Sequence, residues 1–272
     1  MRYDPVKSRI GRLVSSSVGL RKVFYALLDI LLLRTWHVRK ALLGFNKANP
    51  GAENILDAGS GFGQYAWRMW KLNSKWKITG IDIKEEQVAH CNWFAARAGA
   101  GDRLSFRVAD LTSFTEKEKY DLALSVDVME HIEDDISVFR NLFNSLRSGG
   151  WLLISTPSDR GGSDVHHEDE DSFIDEHVRD GYGRQEIEEK LQSAGFSDIK
   201  CRYTYGKPGK LSWKISMKYP IIMLNFSMIL AVILPFYYIL ALPPALVLNY
   251  FDLHMEHSEG TGLLVIAKKS KH

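Results

Sequence analysis

The chain has 272 residues, which is enough to bury one large core and to carry an insertion. Its two cysteines, Cys91 and Cys201, lie far apart and exclude a disulfide framework or a cysteine-based metal knuckle, so we expect a reducing compartment. The formal net charge of +2 conceals a segregation, because basic residues cluster in 1–47 and 199–218. Such basic blocks indicate an anionic partner, either nucleic acid or a membrane surface.

Residues 1–47 predict N-terminal helices that combine basic and apolar segments. The run 23–33 is apolar apart from Asp29, and basic residues flank it. This run is too short to span a bilayer, and no small-residue cleavage site of a secretory signal follows it. Two interpretations stay open: these helices pack over a ligand pocket, or they lie in a membrane interface.

From residue 54 the sequence predicts a strand, a glycine-rich turn and a helix. Asp57 closes the strand, the helix begins at Gln64, and three glycines lie between them at alternate positions: Gly59, Gly61 and Gly63. Glycines allow a sharp turn and the close approach of a ligand, and a helix N-terminus offers free N–H groups. The third glycine comes one residue too early for the dinucleotide fingerprint G-x-G-x-x-G, so the pattern favours a different cofactor.

The following chain alternates predicted strands and helices, which is the pattern of an α/β protein with a parallel sheet covered on both faces. We predict seven strands, the first ending at Asp57 and the others at 77–81, 104–108, 121–126, 150–155, 199–205 and 262–268. Helices are predicted at 64–72, 85–98 and 185–194, with another after the fourth strand.

Two acidic residues lie at the ends of the second and third strands. Asp82 closes the second strand, where a carboxylate can accept both hydroxyls of a ribose. The alternative role for Asp82 is a helix cap, because Glu85 and Glu86 follow it. Asp110 lies just past the third strand. Acids at two successive strand ends, after a glycine-rich first turn, favour an adenosine-type cofactor.

The combination of Asp-x-Gly-x-Gly-x-Gly, Asp82 and Asp110 resembles the class I S-adenosylmethionine-dependent methyltransferases. The resemblance implies a Rossmann-like, seven-stranded, mostly parallel sheet, S-adenosyl-L-methionine as the cofactor, and Asp110 at the adenine amino group. The residues that it implies for cofactor binding are Asp57, Gly59, Gly61, Gly63, Asp82, Ile83, Ala109, Asp110, Leu111 and Asp127.

A narrower resemblance comes from the chain after the fourth strand. Glu130-His131, then Gly149-Gly150 before a strand that ends in Thr156-Pro157, is similar to the quinone-biosynthesis type (ubiquinone/menaquinone) of small-molecule O-methyltransferase. The later Glu-His-Val-Arg at 176–179 also resembles that group. These motifs cover about residues 54–205, and they are specific for fold and cofactor but weaker for substrate.

Methyl transfer to a hydroxyl requires an aligned acceptor and a base that takes its proton. The candidate bases are four histidines, His131, His166, His167 and His177, and we predict His131, His177 and Glu130 as the catalytic residues. Asp127, Glu130 and His131 are also spaced to bind a divalent ion, as are His166, His167 and Glu168. The acids at 133–135 more simply favour the next helix's N-terminus, so no metal is predicted.

Residues 219–251 form a run of 33 residues without a charge, longer than the ~20 that cross a bilayer. If 262–268 rejoins the sheet, this run cannot cross the bilayer once. A single crossing would leave the last strand on the opposite side of the membrane from the rest of the sheet. The prolines Pro235, Pro243 and Pro244 predict breaks in any helix here. We therefore predict an inserted apolar helical hairpin that is re-entrant or interfacial. The alternative is a lid or a dimer interface.

Four segments are predicted: N-terminal helices in 1–47, the cofactor-binding core in 48–205, a membrane-associating insertion in 206–258, and the last strand with a basic tail in 259–272. We predict a methyltransferase on the cytoplasmic side of a membrane that acts on a hydrophobic or lipid-linked hydroxyl, such as a quinone precursor. Its predicted partners are that substrate and an anionic membrane surface, with no nucleic acid, and a homodimer stays open. The alternatives are a methyltransferase for a soluble metabolite or a protein, and a non-catalytic membrane-anchored interaction protein.

Overall fold

The computed structural model describes residues 17–161 and 178–270 of the chain. Two helices precede the sheet, α1 (Val18–Leu31) and α2 (Leu33–Ala48). The Ser17 hydroxyl accepts a hydrogen bond from the Leu20 amide, which caps the first turn of α1. Leu32 has an extended backbone and separates the two helices.

The central part alternates strands and helices as the sequence predicts. Its strands are β1 (Asn54–Ala58), β2 (Lys77–Asp82), β3 (Leu104–Val108), β4 (Tyr120–Val126), β5 (Leu146–Pro157), β6 (Ser197–Thr204) and β7 (Gly262–Lys268). Its helices are α3 (Gln64–Leu72), α4 (Glu85–Arg97), α5 (Asp135–Ser145) and α6 (Arg184–Ser193), and a 3-10 turn covers Met129–His131.

The seven strands form one sheet in the order β3-β2-β1-β4-β5-β7-β6, in which only β7 is antiparallel to its neighbours. The predicted Rossmann-like α/β fold is therefore confirmed. β1 lies between β2 and β4, so the strand order reverses there and a crevice opens at the carboxyl ends of these strands.

Two apolar layers cover the sheet. One layer lies under α5 and α6 and includes Phe139, Leu142 and Leu191, which are fully buried. The other lies under α2, α3 and α4 and includes Phe45 and Trp76. Both N-terminal helices contribute to this second layer, so they belong to the folded core.

The insertion between β6 and β7 is a helical hairpin. Its first arm runs from α7 (Lys207–Trp213) through a π turn (Lys214–Lys218) into α8 (Tyr219–Phe226), and a 3-10 turn (Met228–Val232) leads to the second arm, α9 (Leu234–His254). Three hydroxyl groups bond backbone carbonyls across the two arms: Ser212 to Ala245 (3.0 Å), Tyr237 to Ile215 (2.6 Å) and Tyr238 to Ser216 (2.8 Å). The arms are therefore antiparallel, as the sequence predicts.

The breaks predicted at Pro243 and Pro244 are wrong, because α9 continues through both. Buried contacts of Ala241 and Ala245 against the first arm hold the helix together across the two missing N–H groups. Pro235 lies in the first turn of α9, where a missing N–H costs nothing. By length and composition alone, α9 is the one helix in the described ranges that is long and apolar enough to cross a membrane, which is weak evidence by itself.

The buried carboxylate of Asp252 fixes the hairpin to the core. It accepts hydrogen bonds from His37 Nε2 (2.9 Å) on α2 and from the Gly209 amide (3.0 Å) on α7, and the Tyr205 amide lies at 3.2 Å. Arg202 on β6 donates to the other ring nitrogen of His37 (2.9 Å). Burial lowers the pKa of His37, and this effect outweighs the hydrogen bond to Asp252, which raises it.

We expect the free energy of unfolding to fall on acidification below pH 6.5, the ordinary histidine pKa. Because the folded state holds the pKa of His37 below that value, only the unfolded chain gains the proton as the pH drops. The loss is at most about 1.4 kcal/mol per pH unit from this one group. Urea unfolding above and below pH 6.5 measures it.

The matched variants are His37→Gln and His254→Gln, since His254 is exposed on α9. The wild-type protein and His254→Gln are expected to lose stability with the same slope, and His37→Gln with a shallower one. Equal slopes in all three proteins would contradict this assignment to His37.

Candidate functional site

The glycine turn that joins β1 to α3 lies at the carboxyl edge of the sheet and has the backbone that only glycine adopts easily. Gly59 has a φ of +79°, and a Cβ there would come within 2.3 Å of a Val128 methyl carbon. Gly61 has a φ of +48°, but no atom lies within 4 Å of the Cβ that it lacks. The turn is therefore packed on one side at Gly59 and open to a ligand at Gly61.

The Asp82 carboxylate at the end of β2 holds this turn in place. Its two oxygens accept hydrogen bonds from the amides of Gly61 (2.8 Å) and Lys84 (2.9 Å). Each carboxylate oxygen has a further lone pair, so the half-buried Asp82 can still accept hydroxyl donors from a ligand. The adjacent Ile83 is 64% exposed and places an apolar side chain beside the carboxylate. This combination suits a ribose with an aromatic base.

A cavity of about 300 Å³ lies next to this edge, after β3. Its lining includes Ala109, Asp110, Ser113 and Phe114. The Asp110 carboxylate accepts the Thr112 amide and hydroxyl, both at 2.8 Å, and so shapes the cavity wall. The structure therefore brings Asp82, Ala109 and Asp110 to one edge, as predicted.

Leu111 differs from its predicted neighbours in this cavity. Its side chain is 6% exposed and packs in the core under α5. Its carbonyl accepts a hydrogen bond from the Asn141 side chain at 2.9 Å. The contribution of Leu111 is therefore to support the cavity wall from below.

Asp57 lies beneath the glycine turn and is almost fully buried. One of its carboxylate oxygens has no hydrogen-bond partner. Burial raises the pKa of Asp57 to about 7, although a hydrogen bond from the Ala66 amide opposes this, and the negative charge of Asp82 raises it further. An unsatisfied carboxylate oxygen beside an open turn fits a cofactor that carries an ammonium group or hydroxyls.

The predicted catalytic Glu130 is buried in the 3-10 turn after β4. It accepts a hydrogen bond from the Thr156 hydroxyl on β5 at 3.1 Å, and burial raises its pKa. His131 follows it directly and is half-buried. The structure therefore places a carboxyl group with a raised pKa next to a histidine. His177, and the predicted cluster of His166, His167 and Glu168, lie outside the described residues.

Arg34 is a site residue that the sequence analysis missed. It belongs to α2, and its guanidinium forms an ion pair with Asp127 at the end of β4. Asp127 has a φ of +51°, an uncommon backbone for a residue other than glycine. The amide of Arg34 donates to the Tyr205 hydroxyl at 3.0 Å. In the sequence, Arg34 is distinguished only as the first residue of a basic run, which does not by itself indicate a site residue.

The helix α1 covers the glycine turn from the other side. Arg21 donates to the Phe62 carbonyl (2.8 Å) in that turn and to the His90 carbonyl (2.9 Å) on α4. Asp29 accepts from Gln64 (2.9 Å) and pairs with Arg68, both on α3. The first interpretation of the N-terminal helices, packing over the ligand pocket, therefore describes the structure. The sequence feature that could have predicted this packing is Asp29, because it is the one charged residue within the apolar run 23–33.

Arg179, the last residue of the Glu-His-Val-Arg sequence at 176–179, binds the segment that follows β4. Arg179 donates to the Asp135 carboxylate and to the Ile132 carbonyl (2.8 Å), and the Tyr182 hydroxyl donates to the same carboxylate at 2.7 Å. The Val178 amide donates to the Glu130 carbonyl at 3.0 Å. These contacts hold the Glu130 turn and the residues that follow it in position.

Comparison with known proteins gives a consistent result. Residues 50–195 match the family model described as a methyltransferase domain. The phosphoethanolamine N-methyltransferase of Triticum aestivum is 31% identical over 153 residues, covering 55% of this chain and 29% of that protein. The mitochondrial ubiquinone biosynthesis O-methyltransferase of Candida albicans is 27% identical over 109 residues, covering 40% of this chain and 33% of that protein. The chain therefore spans about a third of the length of these two relatives.

A solved structure supports the fold. Phosphoethanolamine N-methyltransferase 2 of Haemonchus contortus, in complex with S-adenosyl-L-methionine, superposes with a TM-score of 0.59 at 17% identity. The alignment covers 92% of this chain and 60% of that protein.

We expect Asp82→Ala to weaken the binding of S-adenosylmethionine by about tenfold or more. The variant removes an acceptor of charge-assisted hydrogen bonds, which are worth about 1.5–3 kcal/mol each. Isothermal calorimetry measures the affinity, and Asp82→Asn tests the charge at nearly constant shape. Asp102→Ala, at a 70% exposed side chain, is the matched control and is expected to bind like the wild type. Wild-type affinity in Asp82→Ala would contradict the assignment.

Proposed function

Since the chain belongs to the class I S-adenosylmethionine-dependent methyltransferases, we propose that it methylates a hydroxyl of a hydrophobic or lipid-linked small molecule at the cytoplasmic surface of a membrane. The observation that carries the membrane part of this proposal is the outer surface of the hairpin. Several of its large apolar side chains are highly exposed: Phe226 (87%), Ile229 (81%), Leu240 (80%) and Val232 (73%). A protein in water rarely exposes a contiguous apolar surface of this kind.

The sheet decides how such a hairpin can meet a bilayer. Thr204, at the end of β6, pairs with Gly262, at the start of β7, so the two ends of the insertion are neighbours in the sheet. The segment therefore leaves and returns on one side of the folded core. A monotopic or re-entrant contact satisfies this geometry, and a single crossing does not.

Charge supports a cytoplasmic leaflet as the surface. The first arm of the hairpin carries four lysines before its apolar part, Lys207, Lys210, Lys214 and Lys218. Basic residues next to a membrane-bound segment favour the anionic headgroups of that leaflet, at about 1 kcal/mol for each side chain near the surface. Arg39 and Lys47 of α2 are exposed basic side chains as well.

We assign two functions to the residues of the site: some bind the cofactor, and others take a proton from the acceptor. Asp82 and the cavity at Asp110 would hold the ribose and the base, and the open glycine turn would take the rest of the cofactor. S-adenosylmethionine, when bound, supplies a sulfonium methyl group for in-line displacement by an oxygen. The buried Glu130 carboxyl, whose pKa burial raises, and the half-buried His131 next to it are the groups that we assign to take the proton of a hydroxyl acceptor. A base of this kind supports a hydroxyl acceptor.

We expect Glu130→Gln to slow methyl transfer by about 100-fold or more, the usual contribution of a positioned base. Glutamine keeps an oxygen for the Thr156 hydroxyl but cannot take a proton, so the fold and the affinity for S-adenosylmethionine are expected to stay at the wild-type level. The assay follows radiolabelled methyl groups into a membrane lipid extract. Glu133→Gln, on the exposed loop that follows, is the matched control. Equal rates in both variants would remove Glu130 from the catalytic step.

We expect the double variant Phe226→Asp/Leu240→Asp to lose at least tenfold in its partition onto vesicles. Burial of one large apolar side chain is worth about 1.5–3 kcal/mol, and a carboxylate opposes insertion. Sedimentation with vesicles of phosphatidylcholine and phosphatidylglycerol measures the partition. Affinity for S-adenosylmethionine is expected to stay unchanged. Ile136→Asp on α5, under the opposite face of the sheet, is the matched control.

The membrane proposal would be contradicted if the wild-type protein does not sediment with vesicles and forms a discrete dimer without detergent. In that case the hairpin is a dimer interface or a lid, and the acceptor is a soluble metabolite or a protein. Cofactor binding without methyl transfer to any extract would favour the non-catalytic alternative.

A further inference from the structure

Four large apolar side chains of α1 point away from the protein. Leu20, Val23, Leu27 and Ile30 are 52%, 57%, 50% and 41% exposed, and their spacing places them on one face of the helix. We call these four residues the α1 stripe. No described element packs over it, and the other exposed positions along this face are Gly19, Ala26 and Lys22.

The opposite face of α1 buries two polar side chains, Arg21 and Tyr25, beside the half-buried apolar Val18, Phe24 and Leu28, and so leaves the most exposed apolar side chains of the helix on its outer face. Arg21 is 1% exposed, and its guanidinium contacts the carbonyls of Phe62 and His90 and the ring of Phe94. Tyr25 is 2% exposed and donates to the Phe62 carbonyl. A surface helix in water normally turns its charged face outward and buries its apolar face.

The hairpin has the same inverted pattern. Its buried polar side chains include Ser212, Asn249 and Asp252, each no more than 1% exposed. Its outer side chains include Phe236 and Ile239, which are 68% and 67% exposed. Two separate segments that both turn polar groups inward and apolar groups outward favour one common environment, and that environment is hydrocarbon.

The helix α2, which connects α1 with the hairpin, has side chains that suit the headgroup layer at the boundary of a hydrocarbon core. α2 joins α1 to the end of α9, where Lys40 Nζ donates to the Leu253 carbonyl at 3.0 Å. Three of its six exposed positions are basic, namely Arg39, Lys40 and Lys47. Basic side chains between two apolar surfaces suit the anionic headgroups of a leaflet.

We propose that the α1 stripe is a second bilayer contact of this enzyme, separate from the hairpin and lying in the interfacial layer. The proposal rests on the membrane part of the proposed function. The 14 residues of α1 measure about 21 Å, less than the ~30 Å of a hydrocarbon core, so the helix lies along the surface.

One helix then contacts both the bilayer and the cofactor turn. Its outer face meets lipid through the α1 stripe, and its inner face holds the Phe62 carbonyl through Arg21. The covered site would open beside the membrane surface, within reach of an acceptor dissolved in the bilayer. The N-terminal helices thus combine the two interpretations that the sequence presented as alternatives.

The test attaches an environment-sensitive fluorophore to Val23→Cys, Leu240→Cys and Ile136→Cys in the full-length protein. The native cysteines Cys91 and Cys201 are buried, which favours labelling at the introduced site. Labelled proteins are mixed with phosphatidylcholine and phosphatidylglycerol vesicles that contain lipids with a quencher on the acyl chain. We expect quenching at positions 23 and 240 and none at 136.

Each other outcome overturns the proposal. Quenching at 240 alone would leave the proposed function intact and remove α1 from the membrane. No quenching at position 23 or at position 240 would contradict both the membrane contact of α1 and the membrane part of the proposed function. A position-23 label that is already shielded before vesicles are added would show that another part of this chain covers the stripe, and shielding that grows with protein concentration would show a second copy.

A pair of substitutions measures the contribution of the stripe without labels. Val23→Asp/Leu27→Asp is expected to reduce partition onto the same vesicles about 25-fold or more, since the apolar area that each substitution removes contributes a factor of about five. Calorimetry with S-adenosylmethionine checks that the variant still folds and binds the cofactor. Ile136→Asp is again the control, and equal partition of the two proteins would overturn the proposal.

Discussion

The parallel arrangement of β1, β2, β3 and β4 is the constraint on which the site depends. It brings their carboxyl ends to one edge, so residues far apart in the chain, such as Asp57, Asp82 and Asp127, become neighbours. The order reverses at β1, and the crevice that results is where a ligand fits. Gly61 leaves this crevice open, and Asp82 fixes the turn through the Gly61 amide. The chemistry of the family follows from this edge.

The second organising interaction is the buried carboxylate of Asp252. It gathers His37 from α2, Gly209 from α7 and the Tyr205 amide from the chain that leaves β6. The Tyr205 hydroxyl in turn accepts the amide of Arg34, whose guanidinium pairs with Asp127 in the site. A buried carboxylate that lost these donors would be costly, by about 3–5 kcal/mol for a broken buried pair. The hairpin is therefore fixed by buried hydrogen bonds to the wall of the candidate site.

The distribution of polar and apolar side chains in α1 and the hairpin differs from the distribution around the sheet. Around the sheet, apolar side chains form two interior layers in the usual way. In α1 and in the hairpin the pattern is reversed, with Arg21, Asn249 and Asp252 inside and leucine, isoleucine and phenylalanine outside. Burial of Arg21 is tolerated because three carbonyl or sulfur acceptors surround its guanidinium: Phe62, His90 and Cys91.

The sequence by itself determined the elements and the cofactor edge. Strand periodicity, the glycine spacing and the acids at strand ends are local signals, so β2, β3 and β7 end within one residue of their predicted limits. It also determined that 219–251 forms a hairpin. Only the tertiary structure decided that α9 runs through Pro243 and Pro244, that Arg34 reaches Asp127, and that α1 buries Arg21. Each of these depends on contacts between segments distant in sequence, which local patterns do not encode.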